Sequence, residues 1–488
     1  MVHTYTYFVI LAGLVAKMLS ESFFASTGGP PLSSRTEIAR DVGIYSYQLH
    51  PTLSAKSTFK KSSTSPNCLA VSDSHIFAAQ KDKAHVHVYS RMRGNQEALI
   101  PFQEKITSIA LIQDVLLLGT AQGRLILWEV GFSHVQFISL GVIPLVDFRP
   151  CLVTHRVCLY LQICTGRQVA TPACHVQAIT CLAATSYHVL TGSDDSNVHV
   201  WSLPHLLDLD VRADYEPDRS FSNHRAAVTS VIISKSTNPE TSMCISASKD
   251  KTCIIWNYQT GEALRTLLFP SIPLCVCLDP CARAIFVASE DGSVFAVELF
   301  GDKALLGPRS EGLSSTAVQV TTPLGIAEAD DGPASCIASS FDGTTLLTGH
   351  SKGKVLQWTL ASDGHPTKVA DLNSPVTNLV FSQPMAEKKP IKIHTVVKPT
   401  RAERQYTFTA QLETSLADET KFSRVLNSKG FPPDVLEAAL LGLEQSNSGT
   451  SSGQGADEAN EELWQIINEQ RALQQLTFQK YVEAKTPH

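Results

Sequence analysis

The sequence contains little charge and none of the short motifs that mark phosphate or metal chemistry. Asp, Glu, Lys and Arg make up 18% of the 488 residues, and the formal net charge is -6. This balance gives no global attraction to nucleic acid, so any RNA contact must come from a local patch. The signatures G-x-x-x-x-G-K-[ST], G-x-G-x-x-G and H-E-x-x-H are absent. The sequence therefore predicts a non-enzyme without catalytic, cofactor-binding or metal sites.

Cysteine pairs with functional spacing are also missing. The twelve cysteines include no C-x-x-C pair, and the cluster of Cys275, Cys277 and Cys281 suits neither a zinc site nor a redox site. No Asn begins an N-x-[ST] sequon, which disfavours a secreted protein. We therefore expect buried free thiols in a reducing compartment.

An apolar run near the N-terminus covers residues 7–16 and has the length of a signal-peptide core. No Lys or Arg precedes it, and no small-x-small cleavage site follows. We expect translation to start at Met18, with residues 1–17 an upstream extension added by gene prediction. A signal sequence and a native strand are the alternatives.

Six segments share one pattern, which is a β-rich run, a tight polar turn and a short strand ending at a fixed position. Apolar alternation around Asp, Gly, Ser and Lys marks each segment as a β-hairpin, and a further strand precedes each one. The clear copies include VLTGSDDSNVHVWSL and CISASKDKTCIIWNY. The fixed position holds Tyr89, Trp128, Trp201, Trp256, Val297 and Trp358.

The spacing of this fixed position decides the architecture. Two of the intervals between successive copies are 39 and 41 residues, and two others are 55 and 61. These intervals indicate a base period of about 40 residues with loop insertions, which is the period of the WD40 propeller repeat. Each four-stranded blade of such a fold buries its faces only against its neighbours.

Two of the repeats contain a set of polar residues that resembles the internal hydrogen-bonding set of the WD-repeat family. The Asp can orient the imidazole, which bonds a hydroxyl that in turn reaches the indole N–H, so the set is structural rather than catalytic. The Trp128 and Trp358 repeats lack the full pattern at the same offsets, so we expect an incomplete set there. The two complete sets are His175, Thr191, Asp195, Trp201 and His224, Ser246, Asp250, Trp256.

Closure of the ring requires a seventh blade. Residues 22–62 and 376–411 both contain strand-like segments, the latter including VTNLVFS, IKIHTVV and YTFTAQL. Combining strands from both ends in one blade leaves no open sheet edge. The predicted fold is all-β, a seven-bladed WD40 β-propeller over residues 18–411, followed by a C-terminal helical tail.

One segment matches a catalytic pattern by chance. Gly349 to Gly353 fits the hydrolase pattern G-x-S-x-G, but a strand follows it where a nucleophile elbow needs a helix, so we predict a hairpin turn.

The segment 386–404 is basic and has two possible interpretations. It is either a solvated rim of the propeller or a surface that contacts RNA phosphates or an acidic partner. Its cations are Lys388, Lys389, Lys392, Lys398, Arg401 and Arg404.

Composition changes after the predicted ring. Residues 412–444 include a short helical region, and residues 445–457 form a flexible Ser/Gly-rich linker. Residues 458–486 form an amphipathic helix, which we expect to pair with a second copy or a partner helix, with docking onto the ring as the alternative. The apolar face of this helix includes Leu463, Trp464, Ile466, Ile467, Leu473, Leu476 and Tyr481.

Residues 131–163 interrupt the repeat. Trp128 and Trp201 are 73 residues apart, and removing this 33-residue tract leaves 40, the base period. Thr165 and Gly166 then take the place after the Trp that Thr260 and Gly261 take in a neighbouring repeat. Pro and charged residues break the tract as a membrane span. We expect 131–163 to be a translated intron or a similar non-native insertion.

Several segments together resemble the fungal pre-rRNA-processing WD-repeat family. They are MLSESFFAS, KITSIALI with LLLGTAQGRLILWEV, CTGRQV with CHVQAITCLAAT, the two complete hairpins and the final helix beginning ELW. The likeness runs over most of residues 18–485. It implies a nuclear scaffold subunit, in nucleolus and nucleoplasm, of a complex that accompanies precursors of the large ribosomal subunit.

The same resemblance implies finer roles and partners. In the family, the subunit supports removal of the second internal transcribed spacer and remodelling by an AAA ATPase, and it is associated with chromatin and replication licensing. Pairing through the C-terminal segment implies a homodimer, and no membrane is involved. The alternative hypothesis is a WD-repeat substrate receptor of a ubiquitin ligase or a trafficking adaptor.

Overall fold

The structure is a computed structural model, and its described residues all belong to one compact unit. The contacts of the chain separate residues 1–413 from residues 414–488. The 414–488 unit, with the predicted tail helix, lies outside the described residues. The described residues are 21–29, 32, 42–50, 52–130, 133–134, 160–164, 166–208, 215–234, 242–300, 305–306, 317–360, 365–382, 396, 398–399 and 409–413.

Strands in the first half of the chain form the outer part of blade 7 and all of blades 1 to 3. Blade 7 takes β1 (Glu21–Thr27), β2 (Val42–His50) and β3 (Ser54–Lys60). Blade 1 contains β4 (Thr64–Val71), β5 (His75–Gln80), β6 (His85–Ser90) and β7 (Gln96–Pro101). Blade 2 contains β8 (Ile106–Ile112), β9 (Val115–Thr120), β10 (Leu125–Glu129) and β13 (Gln168–Ala170). Blade 3 contains β14 (Ile179–Ala184), β15 (His188–Ser193), β16 (Val198–Ser202) and β17 (Arg219–Phe221), with a short helix α1 (Leu203–Leu206) after β16.

Strands in the second half form blades 4 to 6 and close blade 7. Blade 4 contains β18 (Val228–Ile233), β19 (Met243–Ser248), β20 (Thr252–Asn257) and β21 (Glu262–Leu268), and β25 (Ala317–Gln319) adds a parallel edge strand. Blade 5 contains β22 (Pro273–Leu278), β23 (Ala284–Ser289), β24 (Ser293–Glu298) and β26 (Gly325–Ile326). Blade 6 contains β27 (Ala334–Ser339), β28 (Thr345–His350), β29 (Lys354–Thr359) and β30 (Thr367–Asp371). Blade 7 receives β31 (Val376–Ser382) as its innermost strand.

The seven-bladed propeller predicted from the repeat is therefore confirmed. The innermost strands of the blades follow one another around the ring, and β31 pairs antiparallel with β1, with Phe381 opposite Phe23. One strand from the C-terminal side and three from the N-terminal side thus complete one sheet. This joint between the two ends of the ring leaves no open edge inside it.

The core of the described residues consists of seven apolar clusters, one between each pair of neighbouring blades. Leu116 and Leu118 of β9 pack with blade 1, whereas Val115 and Leu117 of the same strand pack with blade 3. Successive side chains of a strand point to opposite faces, so both sides of each blade are buried. This explains why the middle strands read as continuous apolar runs rather than as alternating ones.

The innermost strands are joined across blades by hydroxyl groups, which we call the inner clasp. In each pair, the second residue of one inner strand donates to the carbonyl oxygen of the first residue of the next. Thr107 Oγ1 bonds Ile179 at 2.6 Å, Thr180 Oγ1 bonds Val228 at 2.6 Å, Thr229 Oγ1 bonds Pro273 at 2.8 Å, and Ser335 Oγ bonds Val376. At the closing joint, the hydroxyls of Thr377 and Thr64 lie 2.8 Å apart. The clasp was not predicted from the sequence, although its T-S, T-C and S-C pairs are a visible signal.

One part of the seventh-blade prediction is wrong. The segment YTFTAQL was expected to join that blade, but β32 (Thr409–Glu413) pairs instead with β12 (Tyr160–Cys164), which also pairs with β11 (Ser133–His134). The N-terminal strands already fill the three outer places of blade 7, so no place remains for a further C-terminal strand. Most of IKIHTVV lies outside the described residues.

The structure places the tract 131–163 between the third and outermost strands of blade 2. β13 follows the tract and pairs with β10, with Gln168 opposite Trp128. Gly166 has a φ of 62° and Gly261, at the matching turn of blade 4, has a φ of 89°, a region that favours glycine. The blade therefore resumes directly after the tract. The short strands at the two ends of the tract join β32, and the origin of the tract as an intron stays a prediction.

The described cysteines are unpaired and mostly buried between strands. Nine cysteines in the described residues are free, and six of them are buried, including Cys277, while Cys281 is exposed. Burial raises the pKa of the Cys68 and Cys181 thiols to about 12. No described helix is long and apolar enough to cross a membrane.

Candidate functional site

The polar set of blade 3 forms a continuous hydrogen-bonded chain inside the blade. His175 Nδ1 lies 2.9 Å from Asp195 Oδ2, and His175 Nε2 lies 2.8 Å from Thr191 Oγ1. The indole N–H of Trp201 donates to Thr191 Oγ1 at 3.2 Å. His175 comes from the loop before the blade, Asp195 from the hairpin turn and the other two from β15 and β16, so the chain ties the loop to the sheet.

The matching set of blade 4 repeats this geometry. His224 Nδ1 lies 3.2 Å from Asp250 Oδ2, and His224 Nε2 lies 2.7 Å from Ser246 Oγ. Trp256 Nε1 donates to Ser246 Oγ at 2.9 Å. Thr252 adds a contact, since its hydroxyl lies 3.1 Å from His224 Nδ1. The four residues that the sequence grouped are together in both blades.

The protonation states of these chains follow from their partners. Burial lowers the pKa of His175 and His224 more than their carboxylates raise it, so both imidazoles are neutral at neutral pH. Burial alone raises the pKa of Asp195, but the Asn197 N–H and His175 outweigh it and leave that pKa low. A neutral imidazole then donates from Nδ1 to the carboxylate and accepts at Nε2 from the hydroxyl, which itself accepts from the indole. Every donor in the chain has an acceptor.

Blade 6 contains a third chain, which the sequence analysis expected to be incomplete. Trp358 Nε1 donates to Thr348 Oγ1 at 2.8 Å, and this oxygen lies 2.9 Å from His350 Nε2. His350 Nδ1 donates to the Gly332 carbonyl at 2.9 Å. The imidazole comes from the same strand as the hydroxyl, two residues later, and a backbone carbonyl replaces the carboxylate. Alternate residues of one strand share a face, which is the signal that could have revealed it.

Blade 1 has a tyrosine at the same position, and this tyrosine reaches the neighbouring blade. The Tyr89 hydroxyl donates to the Lys60 carbonyl at 3.0 Å and lies 3.0 Å from His87 Nδ1. Burial lowers the pKa of His87 to about 4, with smaller contributions from His85 and Lys83. This contact fastens blade 7 to blade 1 at the closing joint.

These chains hold loops and strands of the fold together. Each His, hydroxyl and carboxylate in them is committed to a neighbour, and the rings are buried. No group of His, Cys, Asp and Glu in the described part of the chain has the arrangement of a metal site. Gly349 to Gly353 spans the end of β28 and the turn into β29, so its G-x-S-x-G pattern lies in a hairpin.

The remaining predicted site residues fall largely outside the described residues. In the basic segment 386–404, Lys398 is described and exposed, whereas Lys388, Lys389, Lys392, Arg401 and Arg404 are not described. The whole apolar face of the tail helix is likewise outside. Their roles stay predictions.

Loops at the two ends of the blades provide the surfaces that remain. The upper face is the one that carries the turns between second and third strands, such as 194–197 and 249–251. The lower face carries the turns between first and second strands, such as 185–187 and 340–344. Tyr187 and Phe341 are exposed there, at 60% and 62%. They lie on different blades, as scattered exposed apolar residues commonly do.

Comparison with known proteins identifies WD40 repeats in this chain and relatives named for pre-rRNA processing. The family model described as "WD domain, G-beta repeat" matches residues 166–202 and 215–257. These ranges contain the hairpins and polar chains of blades 3 and 4.

Three curated relatives illustrate how far the similarity extends. "Pre-rRNA-processing protein IPI3" of Yarrowia lipolytica is 23% identical over 85% of this chain and 94% of its own length. "Pre-rRNA-processing protein crb3/ipi3" of Schizosaccharomyces pombe is 24% identical over 66% of this chain and 71% of its own length. "WD repeat-containing protein 18" of Danio rerio is 28% identical over 52% of this chain, which spans 60% of that protein.

Proposed function

Since the chain is a WD40-repeat protein similar over most of its length to proteins named for pre-rRNA processing, we propose that it is a non-enzymatic scaffold subunit in ribosome biogenesis. The observation that carries this proposal is the match across 85% of the chain to the Yarrowia lipolytica protein. WD40 repeats alone are shared by many unrelated complexes, and fold does not define function. A match that includes loops and flanking segments supports a shared role more strongly.

A finer proposal concerns the step of ribosome biogenesis in which the chain acts and its location in the cell. We place the chain in a nuclear complex, in nucleolus and nucleoplasm, that removes the second internal transcribed spacer and matures the large ribosomal subunit. Its partners would be the other subunits of that complex, large-subunit precursor particles and an AAA ATPase that remodels them. A role in chromatin or replication licensing is a further part of the same proposal. The printed names of the relatives support the pre-rRNA part.

A scaffold role suits the chemistry of the described residues. The buried polar chains join strands within blades, and the inner clasp joins blades to each other, so the ring is a rigid platform. Its two faces then offer loops from seven blades for protein or RNA contacts, as is common for propellers. The arrangement supports positioning of partners rather than bond-making.

Affinity purification of the tagged chain tests this function. We expect large-subunit ribosomal proteins and RNA that contains the second internal transcribed spacer to copurify. Depletion of the protein should raise the level of spacer-containing precursor on northern blots. Copurification of cullin-type ligase subunits or coat proteins, without ribosomal precursors, would instead favour the substrate receptor or trafficking adaptor.

The tail supplies a second, separable proposal. Residues 458–486 have the sequence pattern of an amphipathic helix with apolar residues along one face, and we propose that this segment pairs two copies of the chain or binds a partner helix. A chain ending at residue 445 should then have the mass of a monomer by light scattering, whereas the full chain has the mass of a dimer. An unchanged mass after truncation would refute pairing.

A further inference from the structure

The upper face at the joint between blades 7 and 1 carries a group of lysines, which we call the joint lysines. They are Lys60, Lys61, Lys81 and Lys83, and all four are exposed. Lys60 ends β3 and Lys61 follows it, while Lys81 and Lys83 lie in the turn between β5 and β6. Two turns from different blades thus bring four positive charges to one place.

Several hydrogen bonds hold the two turns side by side. The Lys81 N–H donates to the Ser63 carbonyl at 2.7 Å. Gln80 Nε2 donates to Ser62 Oγ at 3.0 Å, and the Ser63 N–H donates to Gln80 Oε1 at 3.0 Å. The bond from Tyr89 to the Lys60 carbonyl adds a buried anchor below. The backbone beneath the lysines is therefore fixed.

The two carboxylates nearby are paired with cations outside the joint lysines. Asp82, in the same turn, is bound by Lys105 at 2.6 Å, and the buried Glu104 lies 3.4 Å from Arg124. No joint lysine has an ion pair with another described residue. Lys105 and Arg124 balance these two carboxylates, so the joint lysines leave the local charge positive on a chain that is acidic overall.

The other charges on the upper face are mixed. Glu290 and Asp291 are exposed in the turn of blade 5, and Glu328 and Asp330 are exposed in the link from blade 5 to blade 6, near the exposed Lys352. The turn of blade 4 has the exposed Lys249 and Lys251. A polyanion would therefore be attracted by the joint lysines themselves, not by a division of charge across the ring.

The composition of the joint surface distinguishes a phosphate ligand from a protein. Protein interfaces are depleted in Lys and have an aromatic or aliphatic centre, whereas this surface combines lysines with the hydroxyls of Ser62, Ser63 and Thr58. Lysine and hydroxyl groups are the ordinary partners of phosphate oxygens. Burial and the charge of Lys83 together lower the pKa of His85, which fits a region where positive charge accumulates.

We propose that the joint lysines bind the phosphate backbone of RNA and that this surface holds precursor RNA against the upper face of the ring. The inference rests on the proposed function for its biological setting but not for its physics. It is separate from the basic segment 386–404, because it is built on the described blades.

The test uses the purified full-length chain and a fluorescein-labelled single-stranded RNA of mixed sequence. Binding is measured by fluorescence anisotropy over a range of salt concentrations. The variant Lys60→Gln/Lys61→Gln/Lys81→Gln/Lys83→Gln is compared with Lys249→Gln/Lys251→Gln/Lys352→Gln/Lys368→Gln, which removes four exposed lysines elsewhere. Thermal unfolding of both variants checks that the ring is intact.

We expect the joint variant to bind RNA about tenfold more weakly or worse, and the control to bind like the parent chain. Each phosphate contact contributes about 0.7 to the slope of log K against log salt for single strands, so the slope should fall by roughly three. Equal affinity and slope for the two variants would overturn the proposal. So would a joint variant that binds RNA normally but loses an acidic protein partner in purifications from cells. Failure of the biogenesis role would appear separately, as absence of precursor RNA from purifications of the parent chain.

Discussion

The hydroxyls that connect His and Trp inside the blades each bond two buried side chains. Ser246 bonds both the His224 imidazole and the Trp256 indole, and all three groups are buried. A buried donor that loses its acceptor keeps its full desolvation cost. Single small side chains therefore control the attachment of a whole loop to its blade.

Replacing Ser246 by Ala should destabilise the ring. The change leaves the Trp256 N–H and His224 Nε2 without their partner, so we expect a loss of about 1–3 kcal/mol in the free energy of unfolding. Urea unfolding followed by tryptophan fluorescence measures it. The control is Ser222→Ala at an exposed position of the loop. Equal stability of the two variants would show that the hydrogen bonds of Ser246 do not contribute to the free energy of unfolding.

Acidification should destabilise the protein below about pH 6.5. Burial lowers the pKa of His175, His224 and His350 below the unfolded value of 6.5. In that window the unfolded chain binds more protons, so stability is fully present above pH 6.5 and falls as the pH drops. Burial lowers the pKa of His199 to about 4, which extends the loss downward.

The check for this pH effect is a series of urea titrations between neutral and mildly acidic pH. His224→Gln should flatten the pH dependence, because one low-pKa group is removed from the folded state. His205→Gln, at an exposed position, should leave the profile as it is. A stability that rises on acidification would contradict the assigned neutral imidazoles.

The inner strands are the elements that convert separate blades into a ring. Each clasp hydroxyl bonds a carbonyl in the next blade, as Thr180 does with Val228 and Thr229 with Pro273. Blades also meet through apolar side chains, whose packing is not directional. The clasp therefore sets the register between neighbouring inner strands.

Thr229→Val tests this element. Valine keeps the β-branched shape and removes the hydroxyl, leaving the Pro273 carbonyl without that donor. We expect a loss of about 1 kcal/mol, typical of one net hydrogen bond, in denaturant unfolding. Thr52→Val, at an exposed residue, is the matched control and should change stability little.

At the scale of the whole molecule, the ring depends on both ends of its strand series. β31 supplies the innermost strand of blade 7, and β1, β2 and β3 supply the rest. The apolar clusters on both sides of blade 7 contain side chains from its two neighbours, among them Tyr89 and Leu347. Loss of the N-terminal strands would expose both clusters at once.

Removing residues 1–62 should therefore abolish the cooperative thermal transition seen by circular dichroism. Removing residues 414–488, which belong to the other compact unit, should leave that transition in place. If the N-terminal deletion melted as cooperatively as the full chain, the closing joint would be dispensable.

Deleting residues 131–163 should preserve the ring. The paired residues Trp128 and Gln168 and the glycine Gly166 all lie outside the tract. After the deletion, the chain between them can form a short turn like the one at Gly261. We expect a thermal midpoint equal to or above that of the parent chain. Sequencing of the messenger RNA across the junction tests the origin of the tract, and a dominant transcript that encodes it would contradict the intron interpretation.

The sequence by itself determined the hairpins, their period and two of the polar chains. These features are local, because a turn and its two strands lie within a few residues and the hydroxyl and the Trp, ten residues apart, are diagonal neighbours on one face of the hairpin. The seven-bladed ring also followed, because every blade needs a neighbour on both faces and the six hairpins therefore required a closing blade. Thr191 and Ser246 could thus be placed before any coordinates.

Only the tertiary structure decided which distant segments meet. Within blade 6, His350 takes the imidazole role from its own strand. Between blades, clasp hydroxyls bond the next inner strand, as Thr180 bonds Val228, and β32 pairs with β12 instead of joining blade 7. The joint lysines come from turns of two different blades. Such contacts depend on how segments distant in sequence meet around the ring, and a pattern along one strand can mark a bonding residue without identifying its partner on another strand.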